Sequence, residues 1–319
     1  VLHALIQSKK YPNHLITDHL NFPTDQYVLQ GLTKQFENLI FTSVEYGQEI
    51  QADISYLKEK IQKNPGILCL SLVSYKSAFF YPMRELNEFA AQKGSIIVWD
   101  LSHAVGAVPI NFKESKTKVA LGCTYKYMNG GPGSPAFLYI ESALQQSLEN
   151  PIQGWFGHQN PFDFTPDYHP ALGINRFNNG TPSVLSLQAV EIGIDLTLKA
   201  GINNIRSKSI KQAELLIEAI KNDLTPLGYT LQSPEKNSQR GSHIAIAHPH
   251  AWQICQALIC GAGKSPKIIP DFRPPDILRI GITPLYTRFE DLWWVVHQLL
   301  TIVESKSFLN FDEKRSKVT

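Results

Sequence analysis

The chain has 319 residues, 43% hydrophobic and 18% charged, with a net charge of only +2. That balance predicts a soluble globular enzyme with a large core in two domains, and the lack of any basic stripe excludes nucleic acid as a natural partner. No apolar run reaches transmembrane length, so no membrane partner is expected.

Val1-Leu2-His3-Ala4-Leu5-Ile6 has a helical apolar phase with no N-cap before it, as if a helix were entered part-way. The chain therefore reads as a piece of a longer protein or as a shortened homologue. Leu15-Ile16-Thr17 reads as a short strand leading to the turn-rich Asn21-Phe22-Pro23-Thr24-Asp25, ahead of a helical phase at Tyr27, Leu29 and Leu32. A phenylalanine there can stack on a flat heteroaromatic ring or form a hydrophobic staple, and Asp25 can bond to such a ring or cap the helix.

Ile54 to Lys63 is amphipathic and ends at Asn64-Pro65-Gly66. Ile67 to Val73 is an apolar strand interrupted by Ser71, whose hydroxyl needs a partner, backbone or ligand, if it is buried. Pro82 to Gln92 reads as a helix capped by Gly94, and the chain returns in Ile96-Ile97-Val98-Trp99-Asp100-Leu101-Ser102-His103. Four apolar residues ending in aspartate describe a buried parallel strand that delivers a carboxylate to its C-terminal edge, where open α/β sheets bind ligands. Read locally, Asp100 is equally a helix cap and His103 a core histidine.

Val119 to Cys123 and Ala136 to Ile140 read as buried strands. Between them Lys126 stands between Tyr125 and Tyr127, ahead of Gly130-Gly131-Pro132-Gly133. An ammonium at a strand end inside a domain loses hydration, so its pKa falls toward neutrality, the condition for a nucleophilic or Schiff-base amine. By itself such a lysine could equally snorkel to solvent. Asp100 changes the balance, because pyridoxal phosphate needs a lysine for its aldehyde and a carboxylate to keep its pyridine nitrogen protonated.

Gly154-Trp155-Phe156-Gly157-His158 is too aromatic to be left wet, and Trp155 is either core or an indole donor for a phosphate oxygen. Thr181-Pro182 opens a helix to about Lys199, with Thr181 as N-cap, anion ligand or both. A long helix from Ile202 to Leu224 lies near the domain change, followed by short strands and helices that predict a small α/β domain. Arg279 lies inside one of those apolar strands and requires an anion: a bidentate substrate carboxylate, or an internal partner such as Asp276 or Glu290. The four cysteines, Cys69, Cys123, Cys255 and Cys260, have neither metal-ligand spacing nor disulfide density, so no metal and a reducing, cytoplasmic compartment are expected.

Strand, helix and strand recur with short connections, which predicts a mostly parallel three-layer α/β/α sheet. The predicted organisation is a large, N-terminally incomplete domain over 1–205, a small α/β domain over 206–305 and a frayed polar tail over 306–319. No G-x-G-x-x-G follows an early strand, so a dinucleotide fold has no support.

WDLSHAVGAVPINF with GCTYKYMNGGPGSPAFLYI resembles kynureninase, a fold-type I pyridoxal-phosphate enzyme. The likeness continues in NFPTDQY, GWFGH, NNGTPSVLSLQA and DFRPPDILRIGITPLYTRFEDLW, and so runs over nearly the whole chain. The resemblance implies hydrolysis of L-kynurenine or its 3-hydroxy derivative to anthranilate or 3-hydroxyanthranilate and L-alanine, within tryptophan degradation and NAD synthesis. It makes Lys126 the cofactor lysine, Asp100 the pyridine partner and Tyr125 a phosphate contact and acid/base. Phe22, Pro23, Thr24, Asp25, Ser71 and His103 also line the cofactor, and Arg279 takes the substrate carboxylate. The residues matching Trp155 and Thr181 reach the phosphate of a neighbouring subunit, which implies a homodimer with shared sites. The family's serine/threonine-rich phosphate loop is not in this sequence, so a non-catalytic homologue is one alternative. Its Tyr-Arg-Thr-Gly-like turn is here Tyr75-Lys76-Ser77-Ala78, so no substrate contact is expected at that turn. A cysteine desulfurase or selenocysteine lyase is the other alternative, but it needs a cysteine on a mobile loop, and none of the four is so placed.

Overall fold

The computed structural model describes residues 1–261 and 267–314. Helix α1 (Leu2–Gln7) leads into a first series of alternating elements: β1 (His14–Asp18), α2 (Pro23–Thr33), β2 (Ile40–Val44), α3 (Ile54–Lys63), β3 (Ile67–Ser71), α4 (Met83–Gln92) and β4 (Ile96–Asp100). Then come β5 (Val119–Gly122), β6 (Phe137–Ile140) and the single turn α5 (Ser142–Gln145). These strands form one six-stranded sheet in the order β2-β1-β3-β4-β5-β6, parallel except for β6.

Successive strand side chains point to opposite faces, so a strand covered on both sides must be apolar throughout. Strand β4 shows this: Ile97 and Trp99 join one core cluster, and Ile96 and Val98 join the other. Trp99 is fully buried and satisfies its indole N–H on Asn87 Oδ1 of α4 at 2.8 Å, which fixes helix against strand. Asp100 is the next residue, at the strand's end, and is itself buried. Strand β6 departs from the expected buried strand. It pairs antiparallel with β5 at the sheet edge, and only Ile140 of its residues is buried, because no strand lies beyond it.

The chain continues through α6 (Val184–Ala200) and α7 (Ile202–Ala219) to a second sheet. This holds β7 (Thr230–Leu231), β8 (His243–Ala247), β9 (Asp271–Arg273) and β10 (Ile277–Gly281), in the antiparallel order β7-β8-β10-β9. Helices α8 (Ala251–Cys260) and α9 (Phe289–Glu304) pack with α7 on one face of it. Ile244, Ile246, Leu278 and Ile280 belong to that helical core, so alternation turns His243, Ala245, Arg279 and Gly281 to the other face. Hydrogen bonds between the two sheets' surroundings include Gly241 N to Ala78 O, Phe80 N to Gln239 O, and Tyr127 Oη to Ser242 O.

Three local expectations need correction. The N-cap of α2 is Phe22, which places Asp25 inside the first helical turn. Thr181 does not cap α6, whose N-cap is Ser183 and makes no side-chain cap bond. The segment after α9 is not frayed at its start, since Phe308 is buried against the small core; residues 315–319 of the expected tail lie outside the described residues.

Candidate active site

Strands β1, β3, β4 and β5 run parallel, so the loops after them gather at one sheet edge. That edge carries Asn21, Ser71, Asp100 and Lys126. Asn21 organises it: its amide donates to Thr17 Oγ1 and Cys69 O, both at 3.0 Å, and its Oδ1 accepts from Ser71 Oγ at 2.6 Å and Phe22 N at 2.8 Å. Ser71 and Asp100 are register partners, with the hydroxyl 3.3 Å from Asp100 Oδ2. Asp100 Oδ1 is held firmly by Ser102, from its N–H at 2.9 Å and its hydroxyl at 2.6 Å. One carboxylate oxygen is thus fixed by the protein, and the other is only loosely engaged. Ser71, expected as a cofactor contact, donates its hydroxyl to Asn21 Oδ1 and stands beside Asp100.

Lys126 lies four residues past β5 on a turn, not at the strand end itself. Its Nζ stands 5.5 Å from the Tyr125 ring centroid and 6.0 Å from that of Phe22. Burial lowers its pKa, with Arg279 and Arg273 adding to the effect and Cys123 and Asp100 opposing it. Glycine is required beside this turn. Gly106 has φ +79°, and an added Cβ would sit 2.5 Å from Tyr127 O.

Asp25 is close enough to Asp100 and Lys126 for their charges to act on it. Burial, reinforced by Asp100 and opposed by Lys126, raises it to about 7. Its Oδ2 is buried without a partner among the described residues. Phe22 packs edge-on against Tyr75, centroids 5.1 Å apart. A proton-hungry Asp25, a half-engaged Asp100 and a depressed lysine beside an aromatic ring suit a flat cationic ring carrying an aldehyde.

A cavity of about 310 Å³ opens from Lys126 toward the small sheet, with His103, Tyr125 and Tyr127 on one wall and His243, Arg279 and Gly281 on the other. His103 is buried, and its pKa falls well below the usual value through burial and the charge of Lys126. Tyr125 is 51% exposed, with its hydroxyl pushed up by burial and by Cys123. Arg279 is paired with Asp271, its register partner on β9, rather than with Asp276 or Glu290. It also donates to Tyr75 O, so the turn not expected to contribute helps to hold the guanidinium. That turn keeps a left-handed residue, Ala78 at φ +66°.

Trp155 and Thr181 are not among the described residues that line this cavity. Trp155 clusters with Phe156, Phe162 and Phe164 and is 40% exposed. Its loop lies against the segment leading to Thr181: a Cβ on Gly154 would sit 1.9 Å from Asn179 O. The two residues are therefore on neighbouring segments, outside the lining of their own chain's cavity. Sequence reasoning missed Asn21 and Ser102, which place Asp100, and also Tyr75 and Asp271, which hold Arg279. Asn21 had a signal, as the polar residue that opens the motif Asn21-Phe22-Pro23-Thr24-Asp25.

Solved structures share the fold. A cysteine desulfurase from Thermococcus onnurineus NA1 superposes with a TM-score of 0.77 at 18% identity, over 95% of this chain and 75% of the other. A C-DES mutant with glycine covalently linked to its PLP cofactor gives a TM-score of 0.75 at 14% identity, over 90% of this chain and 74% of the other. The architecture is that of the fold-type I pyridoxal-phosphate enzymes, the class whose cofactor is pyridoxal 5′-phosphate. Residues 205–299 match the family model "Kynureninase C-terminal domain". Kynureninase of Burkholderia pseudomallei (strain K96243) is 35% identical over 294 residues, covering 92% of this chain and 68% of the relative. That of Pseudomonas fluorescens is 34% identical over 305 residues, covering 95% and 71%. The chain belongs to the kynureninase family.

Proposed function

We propose that the chain hydrolyses L-kynurenine, its 3-hydroxy derivative or both, releasing anthranilate or 3-hydroxyanthranilate and L-alanine. The observation that carries this reading is the one cavity lined by both Lys126 and Arg279, an amine for the cofactor and a guanidinium for a substrate carboxylate. Family membership supplies the ketone side chain.

When bound, pyridoxal phosphate supplies the aldehyde for the substrate amine and the ring that takes up electrons as bonds break. Lys126 would hold the cofactor and, once freed, move a proton at the substrate α-carbon; burial lowers the pKa of its amine. Asp100 would keep the ring nitrogen protonated, with Ser102 and Ser71 holding the carboxylate in orientation. Phe22 and Pro23 at the start of α2 pack beside the ring, with Thr24 and Asp25 completing that edge. His103 supports the ring from the loop after β4. Arg279 fixes the α-carboxylate, which aims the γ-carbonyl toward attacking water and the bond between Cβ and Cγ toward cleavage. Tyr125, which lines the same cavity, would donate a proton to the carbon left behind.

We further propose a homodimer in which Trp155 and Thr181 reach the partner's cofactor phosphate. The support is an exposed apolar surface on α6 and the loop before it, including Leu185, Ile192, Leu198, Phe162 and Phe164, too large to be left to water. No helix among the described residues is long and apolar enough to cross a membrane, and a cytoplasmic place in tryptophan catabolism and NAD synthesis goes with the proposed reaction. The deciding experiment supplies pyridoxal phosphate and measures L-alanine formed from L-kynurenine and from L-cysteine. Alanine from kynurenine alone supports the reading; alanine from cysteine alone makes the chain a desulfurase; alanine from neither makes it a non-catalytic homologue.

A further inference from the structure

The mechanism leaves one buried polar group unused. His243 opens β8, is 4% exposed and lies in the cavity wall across from Lys126. Its Nε2 is buried and has no partner among the described residues. The ring is held by a hydrogen bond with the backbone carbonyl of Lys76 and lies 5.9 Å, centroid to centroid, from His103. A buried polar atom without a partner is destabilising, so a fold that keeps one inside a cavity points to a ligand atom that completes it.

The position of the ring says which part of a ligand it meets. His243 is the register partner of Gly281, and Ala245 of Arg279, so His243 and Arg279 share one sheet face, two residues apart along β10. That step is about 6.8 Å. It matches the reach from an α-carboxylate, past a γ-carbonyl, to a substituent on an aryl ring. Gly281 itself has nothing within 4 Å of where its Cβ would stand, which leaves open space directly across from the imidazole. Burial and the charge of Arg279 hold the imidazole neutral, with its pKa pushed down to about 3, and the Lys76 carbonyl takes its N–H. The remaining nitrogen is then a lone pair, able to accept a hydrogen bond and unsuited to a second carboxylate.

We propose that His243 is a substrate-binding residue whose Nε2 accepts a hydrogen bond from the ring amine of an ortho-aminoaryl ketone held by its α-carboxylate on Arg279, in the space that Gly281 leaves free. This deepens the kynurenine reading and rests on it. The arrangement selects for the aryl end of the substrate, separately from the groups that act on its α-carbon.

The test uses the cofactor-loaded protein and two inert ligands with the substrate's spacing from carboxylate to ring, 2-aminobenzoylglycine and benzoylglycine, which differ only in the ring amine. Calorimetry should show the unaltered protein favouring the amino ligand roughly five- to tenfold, the size of one net hydrogen bond. His243→Ala should erase the preference while benzoylglycine binds as before, and His243→Gln, whose amide oxygen can accept, should retain part of it. A preference that survives His243→Ala overturns the assignment and leaves the kynurenine reading intact. Binding of neither ligand, together with no alanine from kynurenine, overturns both. Gly281→Val provides an arm that leaves the histidine in place: it should weaken both ligands with cofactor absorbance unchanged, and unaltered affinities would place the aryl ring elsewhere.

Discussion

Ser71 and Asp100 face one another across β3 and β4, and the serine hydroxyl is shared between Asn21 Oδ1 at 2.6 Å and Asp100 Oδ2 at 3.3 Å. The stronger bond goes to the asparagine, so the carboxylate oxygen keeps capacity for a further donor. Replacing that carboxylate by an amide removes the charge that holds a proton on the cofactor ring. Asp100→Asn should cost about 3–4 kcal/mol of transition-state stabilisation, seen as a fall in kcat/KM of roughly 10²- to 10³-fold. Ser71→Ala should lower it by roughly tenfold or less, since Ser102 still holds Oδ1. Steady-state kinetics on both variants check the order.

Arg279 presents a different signature, because it binds a part of the substrate that does not react. Arg279→Met removes a charged hydrogen-bond donor worth about 1.5–3 kcal/mol, so KM should rise roughly 10- to 100-fold with kcat changed much less. Equal losses in kcat and kcat/KM would instead place the guanidinium against the reacting atoms.

Asp25 makes stability depend on pH in a direction opposite to that of an ordinary ion-paired carboxylate. Its folded-state pKa is raised to about 7 by burial, so the folded chain binds its proton more tightly than the unfolded one. That contribution is complete below about pH 4, the range of an ordinary carboxylate, and is lost as pH rises through about 7. His243, pushed down to about 3, works the other way, and its contribution is lost as pH falls from about 6.5 toward 3. Denaturant midpoints of cofactor-free protein should therefore be compared with those of Asp25→Asn between pH 4.5 and 7.5. The variant should gain on the unaltered protein steadily as pH rises, and a constant difference would show that Asp25 titrates normally.

Gly106 tests whether the lysine turn depends on the loop after β4. At φ +79° and with a Cβ only 2.5 Å from Tyr127 O, Gly106→Ala adds a backbone penalty and a clash. It should destabilise the protein by about 2 kcal/mol or more and weaken cofactor retention in gel filtration.

The central pair was legible because its signal is local. An apolar run ending in aspartate, and a lysine just past a second apolar run, each mark a strand's C-terminal edge, and parallel strands bring such edges together. What stayed hidden depends on register. That Arg279 pairs with Asp271 follows from how β9 lies on β10, a hairpin alignment that spacing alone leaves open, and Asp276 is nearer in sequence. Asn21 escaped because it reaches Asp100 through Ser71, by hydrogen bonds that exist only once β1, β3 and β4 are side by side, and Ser102 because it bonds Asp100 Oδ1 from two residues on, in the loop after β4. His243 did carry a trace, a histidine at the head of the apolar run His243-Ile244-Ala245-Ile246-Ala247. Only the open space over Gly281 shows what it faces. The N-cap of α6 was misplaced because Thr181-Pro182 offers a hydroxyl and a proline in the right order, while the helix begins beyond Ser183.

Everything in the proposed reaction depends on Lys126 and Asp100 serving the same pyridine ring. A crystal structure of the protein grown with pyridoxal 5′-phosphate tests this most directly. The prediction is continuous density from Lys126 Nζ to the cofactor's aldehyde carbon, with the ring nitrogen within about 3 Å of Asp100 Oδ2. A cofactor joined to another lysine, or a ring nitrogen turned away from Asp100, would contradict it.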